Sequence, residues 1–204
     1  MASEIQVYKA AATAVGSSSQ ITSPTDDRPV ARAIRNVWDI NRRAALRDAA
    51  WNFAMARAEL PALAQAPVFG FDSAFQLPAD SVRLIEVFGE ARAEYQVEGR
   101  KVLADVSGPL RIRYIRDVTE PSEWDDEFAM AFGLRIGWMI GEKIAGSSFN
   151  QDRAWRNYRE ALVQAKTSDG SENPPIGQEE SDWIRARWAG SREDAMHLWH
   201  DGGI

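Results

Sequence analysis

The hydrophobic positions change period twice along this chain, from helical to alternating and back to helical. Between Ser3 and Val15, Ile5, Tyr8, Ala12 and Val15 recur on one helical face, and Ser3 is placed to cap the start. Gly16 and the serine run 17–19 end this segment. A polar loop then leads to Asp26 and Asp27, either of which can open the next helix ahead of Pro29. There, Val30, Ile34, Val37, Trp38, Asn41, Ala44, Ala45 and Asp48 share one face, while Arg32, Arg35, Asp39, Arg42 and Arg43 occupy the other. The apolar run through Trp51, Phe53, Ala54 and Met55 predicts that this helix spans 29–60 and stops at Pro61.

An aromatic-rich loop follows, passing Phe69, Phe71 and Phe75 to reach Leu77-Pro78-Ala79-Asp80. From Val82 onward the period is two. Val82 to Val87, Tyr95 to Val97, Val102 to Val106 and Leu110 to Ile115 predict about four short strands, a β insert over 82–116. Glu98-Gly99-Arg100-Lys101 and Ser107-Gly108-Pro109 supply its turns. The helical period returns at Pro121-Ser122-Glu123-Trp124-Asp125, predicting a helix over 122–146 with Trp124, Phe128, Ala131, Phe132, Trp138 and Met139 inward. Gly133, Gly137 and Gly141, spaced by four, are expected to let a neighbouring helix or subunit approach closely. Asn150 caps a fourth helix over 150–167, with Ala154, Tyr158, Ala161, Leu162 and Ala165 as its stripe. The fold class is therefore α+β: mainly a bundle of about four helices, bearing a small antiparallel β insert.

Beyond residue 168 the pattern weakens. Residues 1–168 form the expected core, 169–176 a polar linker, and 177–204 an extended C-terminal arm. The arm is too short to hold a core of its own, yet it carries Trp183, Trp188 and Trp199, three of the eight tryptophans. Arg185 and Arg187 lie between the first two of them. Large aromatics interleaved with arginine are interface anchors, so the arm either folds back on the core or, as the favoured expectation, docks on a partner or a neighbouring subunit.

Composition narrows the chemistry. The net charge of −6 argues against sequence-blind DNA binding, whose free energy comes from cations that release phosphate counterions. With no cysteine, there can be no disulfide, thiolate zinc site, iron–sulfur cluster or cysteine nucleophile. Met1-Ala-Ser-Glu-Ile5 lacks the basic and apolar regions of a secretion leader, and no apolar run approaches the roughly 20 residues that span a bilayer. The two histidines, His197 and His200, have only Asp194 and Asp201 nearby, a poor metal set; no metal or other cofactor is expected. Glu120, Glu123, Asp125, Asp126 and Glu127 fit the start of a helix, where carboxylates favour the macrodipole, better than an acid–base site. Phosphate loops, dinucleotide fingerprints and serine elbows are absent from the sequence, so no catalytic residue is assigned and no enzyme activity is expected. The arginine face of the second helix leaves one alternative open, a small helical DNA-binding or regulatory protein.

Taken in order, several segments resemble the head-to-tail adaptor family of tailed bacteriophages, the tail tubular protein A or connector type. The features that carry the resemblance run from about Glu4 to Ala165. They are the short first helix, the long helix into Trp51-Asn52-Phe53-Ala54, and Phe75-Gln-Leu-Pro-Ala-Asp80 before the strand Val82 to Val87. The hairpin Tyr95 to Val106, the strand end Tyr114-Ile115 and the helix from Pro121 with Phe128, Ala129, Ala131 and Leu134 complete them. The resemblance implies a virion protein, made in the host cytoplasm and placed at the head–tail junction. It implies a homo-oligomeric ring, twelve-fold by analogy, between the portal and the tail nozzle or tail tube. Double-stranded DNA would pass through the channel without sequence-specific binding, and an acidic wall would keep it from sticking. By the same analogy Trp183, Arg185, Arg187, Trp188 and Trp199 would contact the portal. Arg32, Arg35, Asp39, Arg42 and Arg43 would line a subunit–subunit contact, and Glu98, Arg100 and Lys101 would face the tail.

Overall fold

A computed structural model describes residues 2–18, 20–89 and 94–172. Over these residues the fold is α+β, with four α-helices and two three-stranded antiparallel sheets. Helix α1 is Glu4–Ala14, α2 Pro29–Arg47, α3 Asp126–Ala145 and α4 Gln151–Glu172. The strands are β1 Met55–Leu60, β2 Ser73–Gln76, β3 Ser81–Phe88, β4 Gln96–Glu98, β5 Lys101–Ala104 and β6 Leu110–Arg116.

The helices enclose an aromatic core. Trp38 lies 5.1–6.0 Å, ring centre to ring centre, from Tyr8, Trp124 and Phe132, while Trp51 and Phe53 meet Phe128. Trp38–Phe132 and Trp51–Phe128 meet edge to face, which combines large apolar burial with favourable quadrupole geometry. One sheet, ordered β1-β6-β3, separates this core from a second. Ile115, Met55, Val82 and Ile85 face the helices; Leu110, Ile112, Tyr114, Leu84 and Val87 face the other sheet, ordered β2-β5-β4. Two register shifts in β3, between Ser81 and Arg83 and between Leu84 and Glu86, let Ile85 and Val87 serve opposite faces despite their even spacing.

Several boundaries differ from the sequence expectation. The helix expected over 29–60 ends at Arg47, because Trp51 folds back and its buried indole N–H donates to the Ala45 carbonyl at 3.0 Å, satisfying a terminal acceptor of α2. A 3-10 turn at Asn52–Ala54 then leads into β1, which pairs along its whole length with β6, from Met55↔Ile115 to Leu60↔Leu110. The β structure is thus not confined to 82–116: it gains β1 and also β2, which forms inside the expected aromatic loop. The start of α2 is capped by Arg28 backbone; Asp26 instead accepts from the backbone N–H groups of Thr22 and Ser23, which holds its carboxyl below the usual range.

The third helix also starts later than 122. Pro121–Glu123 is a 3-10 turn, Trp124 closes it with its indole on the Val118 carbonyl, and α3 begins at Asp126. At the far end, the polar stretch expected as a linker from 169 continues α4 to Glu172, pinned where the Asp169 carboxylate accepts from the Asn52 backbone N–H at 2.8 Å and its carbonyl from the Asn52 side chain. Residues 173–176 and the arm lie outside the described residues.

Candidate functional site

Among the described residues no group of three or more His, Asp or Glu side chains could hold a metal ion, and no helix is long and apolar enough to cross a membrane. Glu123 of the acidic cluster pairs with Arg116, and Asp125 to Glu127 sit at the start of α3, where the helix dipole favours them.

The arginine face of α2 is less open than its sequence suggests. Arg42 is buried, and its guanidinium grips Asp117 with two parallel hydrogen bonds, Nε at 2.9 Å and Nη2 at 3.0 Å, while Nη1 reaches Asp39. Burial alone would favour the neutral form; these hydrogen bonds outweigh it and leave the Arg42 pKa raised. Arg42 thus ties α2 to the end of β6 inside the subunit, which removes it from an intersubunit surface. Arg35 donates to the carbonyls of Pro24 and Asp26, tethering the loop ahead of α2, and Arg32 pairs with Asp27 at 3.3 Å on the surface. Arg43 and Asp39 are exposed. Of these four arginines Arg42 alone is buried, Arg32 and Arg35 hold partners at the surface, and Arg43 is exposed.

The glycine stripe of α3 is filled from within. A Cβ on Gly133 would stand 2.8 Å from Ala10 Cβ, and one on Gly137 would stand 2.5 Å from Ala14 Cβ, so α1 packs backbone-close against both. Gly141 takes the Phe149 ring. The stripe therefore serves α1 and Phe149 and is not a subunit contact. Beside it Tyr8 is wholly buried, which pushes its phenol up to about 12.

On the opposite side of α3 lies a polar knot that the sequence reading did not pick out. Arg135 donates to Asn41 at 3.1 Å and to the Tyr158 hydroxyl at 2.8 Å; that hydroxyl donates to Asp48 at 3.0 Å. Burial, the largest influence, raises the Tyr158 phenol, keeping it a neutral donor. The knot joins α2, α3 and α4, and only the isolated polar residues Asn41 and Asp48 on an apolar face hinted at it.

The β4–β5 turn behaves as a displayed feature. Glu98, Arg100 and Lys101 are exposed; Glu98 lies opposite Lys101 in the β4–β5 register, and Arg100 donates to the carbonyls of Pro78 and Ala79. Gly99 takes a left-handed φ of +58°, which allows the two-residue turn. Alongside runs the loop that leaves β1, where Val68 and Phe69 are 94% and 87% exposed. A depression of about 580 Å³ separates loop and turn, lined by Pro67, Phe69, Phe71, Gln96, Arg100 and Lys101. The aromatic loop was visible in the sequence; that its tip projects two apolar side chains was not.

Trp183, Arg185, Arg187, Trp188 and Trp199, with His197 and His200, lie outside the described residues. No protein-family model and no curated protein matches this chain.

Proposed function

We propose that this chain is a structural head-to-tail adaptor of a tailed phage, a non-enzymatic ring subunit that sits between portal and tail and extends the DNA channel. The observation that carries the reading is the tip Val68-Phe69, two adjacent apolar side chains left almost wholly in water beside an exposed charged turn. Apolar groups grouped at a projecting tip favour removal from water by a partner, and aromatic anchors dominate such contacts. In this reading the tip and the turn residues Glu98, Arg100 and Lys101 meet the tail nozzle or tail tube. Arg32, Arg35, Asp39 and Arg43 stay on the outside of the subunit, and the tryptophan-bearing arm reaches the portal. The protein resides in the virion at the head–tail junction.

Replacing Val68 and Phe69 together by serine tests this. Both side chains are exposed, so fold stability should change by no more than about 0.5 kcal/mol. Particles are expected to package DNA and to carry the protein, yet to lack tails in negative-stain images. Tailed, infectious particles at ordinary yield would overturn the role given to the tip.

A further inference from the structure

The polar knot between α2, α3 and α4 borders a cavity that the adaptor reading does not use. The cavity measures about 180 Å³, with Asp48, Arg135 and Tyr158 in its lining and Trp155, Arg159 and Lys166 on its α4 side. That volume is several times the ~30 Å³ share of one liquid water, so a small polyatomic ion fits with part of its hydration. Residues 155, 159 and 166 fall on one face of α4, spaced by four and seven positions.

Cationic donors dominate the lining. The Arg135 side chain is 17% exposed; its Nε and Nη1 engage Asn41, Asp48 and Tyr158, while its Nη2 carries no hydrogen bond among the described residues. Arg159 lies over the Trp155 ring at 5.8 Å and Lys166 is exposed, and neither has a carboxylate partner among the described residues. Against these three cations stands one carboxylate, Asp48, which already accepts the Tyr158 hydroxyl and lies 3.4 Å from Arg135. The excess positive charge surrounds a largely buried guanidinium, where charges interact more strongly than in open water.

A carboxylate ligand would offset only part of that excess. A phosphate monoester carries about −1.5 to −2 at neutral pH and three acceptor oxygens, which suits both the charge and the donors. At the rim Trp155 and Val163, 38% and 59% exposed, offer an apolar bed for an organic group. A nucleic-acid backbone fits less well, because its affinity comes from many cations along a track and this chain has a net charge of −6.

We infer that the cavity between α2, α3 and α4 binds the phosphate of a small organic phosphate monoester, held by Arg135, Arg159 and Lys166, with its organic part against Trp155 and Val163. The site needs neither a ring nor a portal, so it stands or falls separately from the adaptor role.

Isothermal titration calorimetry of the full chain at neutral pH and fixed ionic strength tests this, with inorganic phosphate and phenyl phosphate as probes. One saturable site is expected, tighter for phenyl phosphate. R159Q and K166Q should each weaken both probes about tenfold, the loss of one charge-assisted contact. R153Q changes an exposed arginine of α4 outside the cavity and should leave both affinities unchanged. D48N removes the opposing charge and should tighten both severalfold. Circular dichroism checks that each variant stays helical; if D48N does not, the contrast between R159Q and R153Q decides. No binding of either probe, equal losses in R159Q and R153Q, or weaker binding in a folded D48N would overturn the site. Duplex DNA that bound with the same dependence on Arg159 would overturn its assignment to a small ligand.

Discussion

At the residue scale, position in the fold outweighs residue type. Arg32 and Arg42 are both arginines on α2, but Arg32 is 54% exposed against an 89% exposed Asp27, while Arg42 is 8% exposed against Asp117 at 20%. An exposed pair contributes at most about 1 kcal/mol, because water screens it and ordering two long side chains costs entropy. Removing one partner of a buried pair leaves the other charge desolvated and uncompensated. Arg42→Ala is therefore expected to lower the unfolding free energy by about 3 kcal/mol, the low end of the buried-pair range since Asp117 keeps some contact with water. Arg32→Ala should cost less than about 1 kcal/mol. Urea denaturation of both variants checks this; equal losses would show that Arg42 does not link α2 to β6.

The same contrast explains what the sequence could tell at this scale. Helical spacing put Trp38, Phe128, Phe132 and Tyr158 inside, and all four are buried. Spacing put Arg42 outside, because a helical wheel knows nothing of an aspartate 75 residues away that can neutralise it within the fold. Asp169 is a second instance: a serine- and glycine-rich run reads as linker, and its tertiary bond to Asn52, which spacing cannot show, anchors it within α4.

At the element scale, α1, α3 and α4 and the strands β3, β4, β5 and β6 were legible as periodic runs, and β1 and β2 were not. Met55 to Leu60 follows an alanine-rich helical pattern, and the alternation of Arg57 and Glu59 with Ala56, Ala58 and Leu60 is short enough to be read either way. Pairing with β6 decides it. The glycines of α3 were legible as a site of close approach, though the approaching element is α1. That assignment carries a sign test. Alanine for glycine inside a helix normally stabilises by about 1 kcal/mol. At Gly137 the new Cβ would stand 2.5 Å from Ala14 Cβ, so overpacking of about 1–3 kcal/mol should prevail and Gly137→Ala should lower the melting temperature. At Gly170 of α4 nothing lies within 4 Å, and Gly170→Ala should hold or raise it. A Gly137→Ala variant that melts as high as the parent, or higher, would contradict the packing of α1 on α3.

At the scale of the whole molecule, two cores share one sheet: the helices pack on one face of β1-β6-β3 and the second sheet on the other. This division leaves different features on different surfaces. The second sheet and its neighbouring loop display Phe69 and the β4–β5 turn, and α4 displays Trp155 and Val163 on its outer row. The candidate site was thus only partly visible beforehand. The turn Glu98 to Lys101 could be read from its glycine, whereas the outer row of α4 could not, because Trp155 and Val163 look like core residues until the helix is placed.

The central claim is that this chain works by stacking copies of itself onto a portal. Mass photometry of purified portal protein, alone and after adding this chain, measures that directly. The account predicts that the portal species gains mass in steps of 22.8 kDa to a plateau near twelve copies, and that a chain ending at Pro175 stays helical but adds nothing. A portal whose mass is unchanged by the full-length chain, with the chain itself remaining a lone subunit, would contradict it.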